Sequence, residues 1–531
     1  MNKFVNSLYN STFTLLKYII LIMSVLLFTS GLFFTSYITD MTTQTMLQKS
    51  DNLIFSFVGI GVFLIILYSL IHLLQNKTAG SKKILLCFVL FWYIFAGCIL
   101  ILFSRSAPAA DPRSVYEIAA ALATGNTAVI HPTDSYLSFY PHQIGLVAYY
   151  EVVLRIWNLL PIGLPGYHVL KLLNVLWACA IIYFQYKTLE LLFKDDKVQI
   201  VYLLLMLCNL PLLIYTSFVY GEIPSFACFT IGLWALLKIF ATPLKNSDGK
   251  FKKSLLLYTL ISCICFILCI MLRKNALILL IAVIGVTLFE LIRHKKTYLL
   301  LHLIAYICIC FFTLPAVQSH YEQRADNYLS SGVTPLSYFA MGMQEAPRGE
   351  GWYNGFNFNT YQESGLNTEL ANQISKDAIN ERLNYFGEHP GEMLRFHTNK
   401  YRLQWCDGTY ACLQATQNDG GGRISFFRQL YSGELDKFFI PFCNIMQTIL
   451  YFGTLLFAVL HTKKKQPGNN LLHGFPLYLC VIGTLGGLLF HMLWEANSRY
   501  IFPYALLLYP YAAYGLADFI SGIRIHFNKH K

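Results

Sequence analysis

The sequence predicts an all-α polytopic membrane protein, and three observations carry that prediction. Of 531 residues, 56% are hydrophobic and only 13% charged, a balance found in bilayer proteins rather than in ordinary soluble domains. Apolar runs of roughly 20 residues, the length needed to cross the hydrocarbon core, recur along the chain. The 40 Lys and Arg residues, against 28 Asp and Glu, fall in short clusters between those runs, as positive-inside topology requires. The net charge of +12 is thereby accounted for by topology, and no nucleic-acid partner is expected.

Twelve runs read as spans, at 14–39, 53–74, 84–103, 168–191, 198–217, 225–241, 254–272, 276–292, 298–317, 438–461, 471–493 and 500–520. The first is too long for a signal-peptide core and ends at Thr39-Asp40 without a small-residue cleavage pattern, so it is expected to stay as an anchor. A further run, 141–160, carries Pro141, His142, Glu151 and Arg155. With that run left out and the N-terminus cytoplasmic, six basic clusters all fall on the cytoplasmic side. They are Lys77/Lys82/Lys83, Lys194/Lys197, Lys245/Lys250/Lys252/Lys253, Arg293/Lys295/Lys296, Lys463/Lys464/Lys465 and Arg524/Lys529/Lys531. Counting the run as a crossing misplaces every later cluster up to the long loop, so it is assigned to the outer surface as an interfacial helix.

Both termini are then cytoplasmic, and the chain divides into five parts. These are 1–103 with three spans, 104–167 as an outer loop with amphipathic and interfacial helices, and 168–317 with six spans. A large extracytoplasmic loop, 318–437, precedes the three C-terminal spans and short cytoplasmic tail of 438–531. The cytoplasmic loops are too short to hold a catalytic domain, and no P-loop or dinucleotide fingerprint stands in a strand–helix context. Chemistry is expected on the extracytoplasmic face of the plasma membrane, or within it.

Most of the 14 cysteines, among them Cys263, Cys265, Cys269, Cys308 and Cys310, lie in apolar runs and read as packing residues. Cys406 and Cys412 occupy the long polar segment, where their spacing permits a small loop disulfide, free thiols being the alternative. No metal site follows from them.

The short outer turns carry charges of an unusual kind. They read Ala-Ala-Asp111-Pro112-Arg113, Val-Tyr220-Gly221-Glu222-Ile-Pro224, Leu-Arg273-Lys274-Asn275 and Trp494-Glu495-Ala-Asn497-Ser498-Arg499-Tyr500. A charge at a helix centre in the membrane costs roughly 2.5–3.5 kcal/mol, so turns that retain charges are functional candidates. Each has a structural alternative. Asp111, followed by Pro112 and an amphipathic stretch closed by Gly125, suits an N-cap with proline at N1, or else a general base. Glu222 is either an exposed turn residue or a second acid. Arg273 and Lys274 either snorkel to headgroups or bind a phosphate, and Arg499 either pairs with Glu495 or does the same. In the long loop, 374–387 and 391–406 read as amphipathic helices broken at His389-Pro390. Trp352, Tyr353, Trp405 and Tyr410 are candidates to stack on sugar rings, with belt or core placement the alternative. Gly420-Gly421-Gly422 marks a flexible stretch that would suit a lid.

The order and common sidedness of these features resemble the GT-C superfamily of polyprenyl-phosphate-sugar glycosyltransferases, in particular bacterial relatives of protein O-mannosyltransferases and aminoarabinose transferases. The matching features are Asp111 before an amphipathic helix, Tyr140-Pro141-His142-Gln143 opening the interfacial helix, Glu222 in an acidic turn, and Ser498-Arg499-Tyr500-Ile-Phe-Pro503 followed by Tyr509-Pro510. The resemblance implies transfer of a sugar, with inversion, from a polyprenyl-phosphate donor to a cell-envelope acceptor: a lipid, a wall polymer or a protein. It makes Asp111 the first-loop catalytic residue. The Asp-Glu usual there is Asp111-Pro112 here, which leaves Asp134 open as the base, with Glu222 a third candidate. Arg273, Lys274, Asn275, Glu495, Arg499, Tyr500, Tyr140 and His142 are the expected substrate-binding residues. No organic cofactor is implied, and there is room for a divalent cation. A polysaccharide polymerase or ligase, and a multi-span transporter, are the competing readings.

Overall fold

The computed structural model describes residues 3–40, 45–75, 80–133, 135–244, 252–463, 472 and 474–529. Among these, ten unbroken helices are long and apolar enough to cross a membrane: Ser7–Phe33, Leu53–Leu73, Ser81–Ser104, Gly166–Leu192, Glu222–Ala241, Lys253–Leu272, Lys274–His294, Tyr298–Ala325, Asp436–Thr462 and Phe475–Leu493. Their outward faces are apolar and exposed, as at Ile65, Ile84, Leu301 and Phe311, because lipid rather than water is their solvent. The Glu222–Ala241 helix is the most enclosed and packs against Lys253–Leu272 and Gly166–Leu192.

The other two predicted spans are interrupted helices. The fifth breaks into Asp196–Leu207 and Leu210–Tyr215, because Pro211 cannot donate within a continuous ladder. The side chain of Asn209 caps the second half by accepting from Leu212 N at 3.1 Å. The Tyr93 hydroxyl fills the gap, donating to the carbonyls of Met206 (2.9 Å) and Asn209 (3.0 Å). The last span breaks into Ser498–Leu506 and Tyr509–Lys529, with Pro503 and Pro510 flanking the break. Gln185 donates to Leu506 O (2.9 Å) and Thr484 to Tyr504 O (3.0 Å), satisfying carbonyls near the break.

A departure from the all-α expectation follows the first span. Its apolar run ends as a helix at Phe33, and Phe34–Asp40 pairs antiparallel with Thr45–Ser50 as a β-hairpin. Ser36 N donates to Cys406 O (2.9 Å), and Arg402 lies 3.6 Å over the Phe34 ring, so the hairpin docks on the long loop. That loop contains the two expected helices, the first longer than predicted at Thr368–Glu388 and the second shifted by one residue at Pro390–Trp405. Cys406 and Cys412 are both buried and free, so the small loop disulfide is not formed.

The run at 141–160 forms a 3-10 turn, Pro141–Gln143, and a helix, Ile144–Asn158. Its charges are spent internally: Glu151 pairs with Arg155 and Arg324, each at 2.7 Å. Arg155 and Arg324 also donate to Leu122 O (2.8 and 3.2 Å). These cations sit at the C-terminal end of the Ala110–Ala123 helix, where a positive charge is favoured.

At one end of the bundle Arg293 donates to Tyr9 (2.7 Å), Lys82 pairs with Asp196 (2.6 Å) and Lys197 donates to Ser521 (3.2 Å). The four charged turns meet at the other end.

Candidate functional site

Each charged turn brings at least one side chain to a common cleft of about 1030 Å³. Asp111, Tyr140, His142, Arg273, Lys274, Asn275, Glu495, Arg499 and Tyr500 all line it. Glu222 does not; it stands behind Arg273 and Arg499, in a small adjoining cavity. Asp134 lies outside the described residues.

The turn before Glu222 is built around Gly221. Its φ of 90° belongs to the left-handed region, and a Cβ there would meet Leu272 O at 2.8 Å, so only glycine permits the approach. That approach brings Tyr220 and Glu222 up to the Arg273 turn. The Tyr220 hydroxyl donates to Asp111 Oδ2 (3.1 Å), accepts from Gln143 Nε2 (2.8 Å) and shares a hydrogen bond with Tyr136 (3.2 Å). The guanidiniums of Arg273 and Arg499 lie 4.7 and 5.6 Å from its ring centroid, within cation–π range. One tyrosine thus spaces a carboxylate from two cations.

Asp111 is not the N-cap. The helix runs Ala110–Ala123 with Ala109 as its cap residue, which places Asp111 in the first turn. Ala110 adopts φ 48°, a conformation costly for a non-glycine residue, and it turns the chain immediately before the acid. Upstream, a tether of small residues is held by the 416–424 segment. Ala107 N donates to Asn418 O (2.9 Å), Gly420 N to Arg105 O (2.8 Å) and Ile424 N to Phe103 O (3.3 Å). The buried Arg423 donates to Ser104 O (2.6 Å), Asn418 O (3.2 Å) and Thr416 O (3.4 Å), and stacks over Tyr431 at 4.1 Å. The buried Lys171 donates to Ser106 O. The triglycine stretch is therefore part of a strap, not a free lid. Arg423→Ala leaves three carbonyls without this donor, and a loss of about 1–3 kcal/mol is expected. Thermal unfolding in detergent measures it.

Glu222 opens the Glu222–Ala241 helix, where the N-terminal dipole favours an anion. It pairs with Arg273 at 3.0 Å and with Arg499 at 3.8 Å. Neither approach has hydrogen-bond geometry: both carboxylate oxygens, and Arg499 Nε, lack a hydrogen-bond partner among the described residues. Arg499 therefore pairs with Glu222 and not with Glu495. Asn497 caps its helix, accepting from Arg499 N at 2.9 Å. Ser498 donates to the buried Asp407 (2.6 Å), which also accepts from Thr409 N (2.9 Å), Thr409 Oγ1 (2.6 Å) and Ala411 N (3.0 Å).

Glu495 accepts from the Tyr500 hydroxyl at 3.2 Å. Burial pushes its pKa up to about 7, with Asp111 adding to the rise and Arg499, Tyr500 and Lys400 opposing it. Beneath it the buried Lys400 donates to Gly342 O, and burial lowers its pKa to about 7. His142 is held down to about 3 by burial and by the charges of Lys274 and Arg273, so it enters the cleft neutral. The folded pKa of Glu495 lies above its ordinary 4.5. Its contribution to stability is therefore complete below about pH 4.5 and lost as pH rises towards about 7. Glu495→Gln should flatten that part of a Tm-against-pH curve.

Trp352 and Tyr353 line the cleft, whereas Trp405 and Tyr410 are core residues, Tyr410 packing on Phe502 at 5.1 Å. Reasoning from sequence missed Tyr136 and the hub role of Tyr220, and gave Gln143 no role beyond opening the interfacial helix. The available signal was a tyrosine one residue before the glycine of an acidic turn.

No family model matches the chain, and no curated protein matches it. Among solved structures it is similar to the archaeal oligosaccharyltransferase AglB from Archaeoglobus fulgidus, in complex with an inhibitory peptide and a dolichol-phosphate. The TM-score is 0.45 at 14% identity, over 85% of this chain and 52% of that one. The chain thus spans about half the length of that structure, and at this level the likeness adds nothing to the geometry above.

Proposed function

We propose that the protein is a GT-C-type glycosyltransferase that moves a sugar from a polyprenyl-phosphate donor to an acceptor hydroxyl on the extracytoplasmic face. One observation carries the reading: a carboxylate and two guanidiniums stand on either side of Tyr220 in a single cleft at the end of a membrane bundle. Asp111 takes the acceptor proton, and the acceptor oxygen attacks the anomeric carbon from the face opposite the phosphate. The bond from that carbon to the phosphate oxygen breaks, and polyprenyl phosphate leaves with one more negative charge than the donor phosphodiester carried. Arg273 and Arg499 face that charge as it develops, the usual route to a large electrostatic contribution. The neutral His142 and the Asn275 amide supply hydrogen bonds without altering the balance.

The transporter reading expects interrupted helices that line a substrate path. The two breaks among the described residues are at 208–209 and 507–508, and neither lines the cleft. The test is reconstitution in liposomes with radiolabelled polyprenyl-phosphate hexoses and a membrane extract as acceptor. Donor consumption with single-sugar products is expected; long-chain products would favour a polymerase, and no consumption of any donor would remove the reading.

A further inference from the structure

The cleft has an order, set by contacts. The arginines lie over Tyr220, Tyr220 donates to Asp111, and the chain leading into Asp111 is bound by Asn418, whose Nδ2 donates to Ala107 O (3.5 Å) and Pro108 O (3.1 Å). A phosphate at the arginines therefore leaves the 414–419 wall on the far side of the base, where the acceptor must lie. That wall presents Gln414, Asn418 and Asp419 to the cleft, which Asn357, Arg348 and the part-exposed ring of Tyr353 also line.

Three chemical classes could occupy it. A lipid tail needs contiguous apolar surface, and on this wall Ala415 stands alone among amides and the Asp419 carboxylate. A peptide bound by strand addition needs an edge with open backbone groups, yet the extended residues 418–420 already pair with 105–107 through the Ser106–Asp419 bridge. A carbohydrate needs planar amides and carboxylates to meet hydroxyl groups and an aromatic face to meet a ring, and both are present. Gln414 lines the cleft, and its buried Oε1 has no hydrogen-bond partner among the described residues, a shortfall of about 1–3 kcal/mol that turning the amide towards a ligand hydroxyl would relieve. We infer that the acceptor is a glycan, held through its hydroxyl groups on the 414–419 wall beside Asp111; this rests on the donor reading above.

The test is saturation-transfer NMR on the full chain in nanodiscs containing polyprenyl phosphate. The panel comprises methyl glycosides of hexoses and N-acetylhexosamines and their disaccharides, a Ser/Thr-rich hexapeptide and a short-chain diacylglycerol. Saturation of at least one saccharide is expected, weakened at least tenfold in apparent affinity by Gln414→Ala and by Asp419→Ala. Saturation of peptide or diacylglycerol alone, no saturation, or saccharide binding that survives both substitutions overturns the inference. Binding of labelled polyprenyl phosphate is measured separately. Protein that binds it but no saccharide leaves the donor reading standing, and protein that binds saccharide but not polyprenyl phosphate removes the donor reading instead.

Discussion

Asp111→Asn should lower the turnover of sugar transfer by about 10²–10⁴-fold, the usual contribution of a positioned general base, while the unfolding temperature stays close to that of the native chain. The amide keeps the shape of the side chain and can still accept from Tyr220 at the 3.1 Å contact. What it loses is the capacity to take the acceptor proton. Its place in the first turn, with Ala109 as the cap residue, is what separates catalysis from capping here: loss of a capping side chain would show as about 0.5–2 kcal/mol of stability. Tyr220→Phe removes a hydrogen bond to a charged group, worth about 1.5–3 kcal/mol, and should act through Asp111 on turnover rather than on donor affinity. Parallel assays of donor consumption and thermal unfolding on the two variants decide the matter. Turnover that survives Asp111→Asn would transfer the role of base to Asp134.

The parts of this arrangement legible in the sequence are those governed by local composition. Hydropathy located the ten long apolar helices, and the cost of charge near lipid singled out Asp111, Arg273, Lys274, Glu495 and Arg499, which then met in one cleft. Average hydropathy does not resolve hydrogen-bonded geometry, so Phe34–Asp40 read as the end of a helix, and the breaks near Asn209 and Leu507 read as continuous spans. Pro211 and Pro510 were the available warnings. What stayed hidden depends on contacts between distant segments. Arg423 reaches Ser104, Asp407 reaches Ser498 and Lys400 reaches Gly342, and no periodicity in the chain encodes those pairings. The pairing of Arg499 with Glu222 rather than with Glu495, four residues away, is of the same kind: proximity in sequence suggested the wrong carboxylate.

That pairing yields the second large effect, because it separates electrostatics that hold the fold from electrostatics that serve the reaction. Arg273 and Arg499 carry two positive charges and Glu222 one negative, so the group has net charge +1 in the native chain. Glu222→Gln leaves two buried cations facing one another at net +2, and the loss of a buried partner should cost about 3–5 kcal/mol of stability. Arg499→Ala gives net zero. It keeps the 3.0 Å pair of Arg273 with Glu222, so the fold should tolerate it, while turnover falls by about 10²–10³-fold through loss of one donor to the departing phosphate. The double variant returns the group to +1 with Arg273 alone. It should regain much of the stability lost in Glu222→Gln yet remain as slow as Arg499→Ala, a non-additivity expected of charges that share one partner. Unfolding temperature and donor turnover measured across the four proteins test both halves. Recovery of turnover in the double variant would mean that Arg499 serves only to balance Glu222, and that Arg273 with Lys274 carries the phosphate.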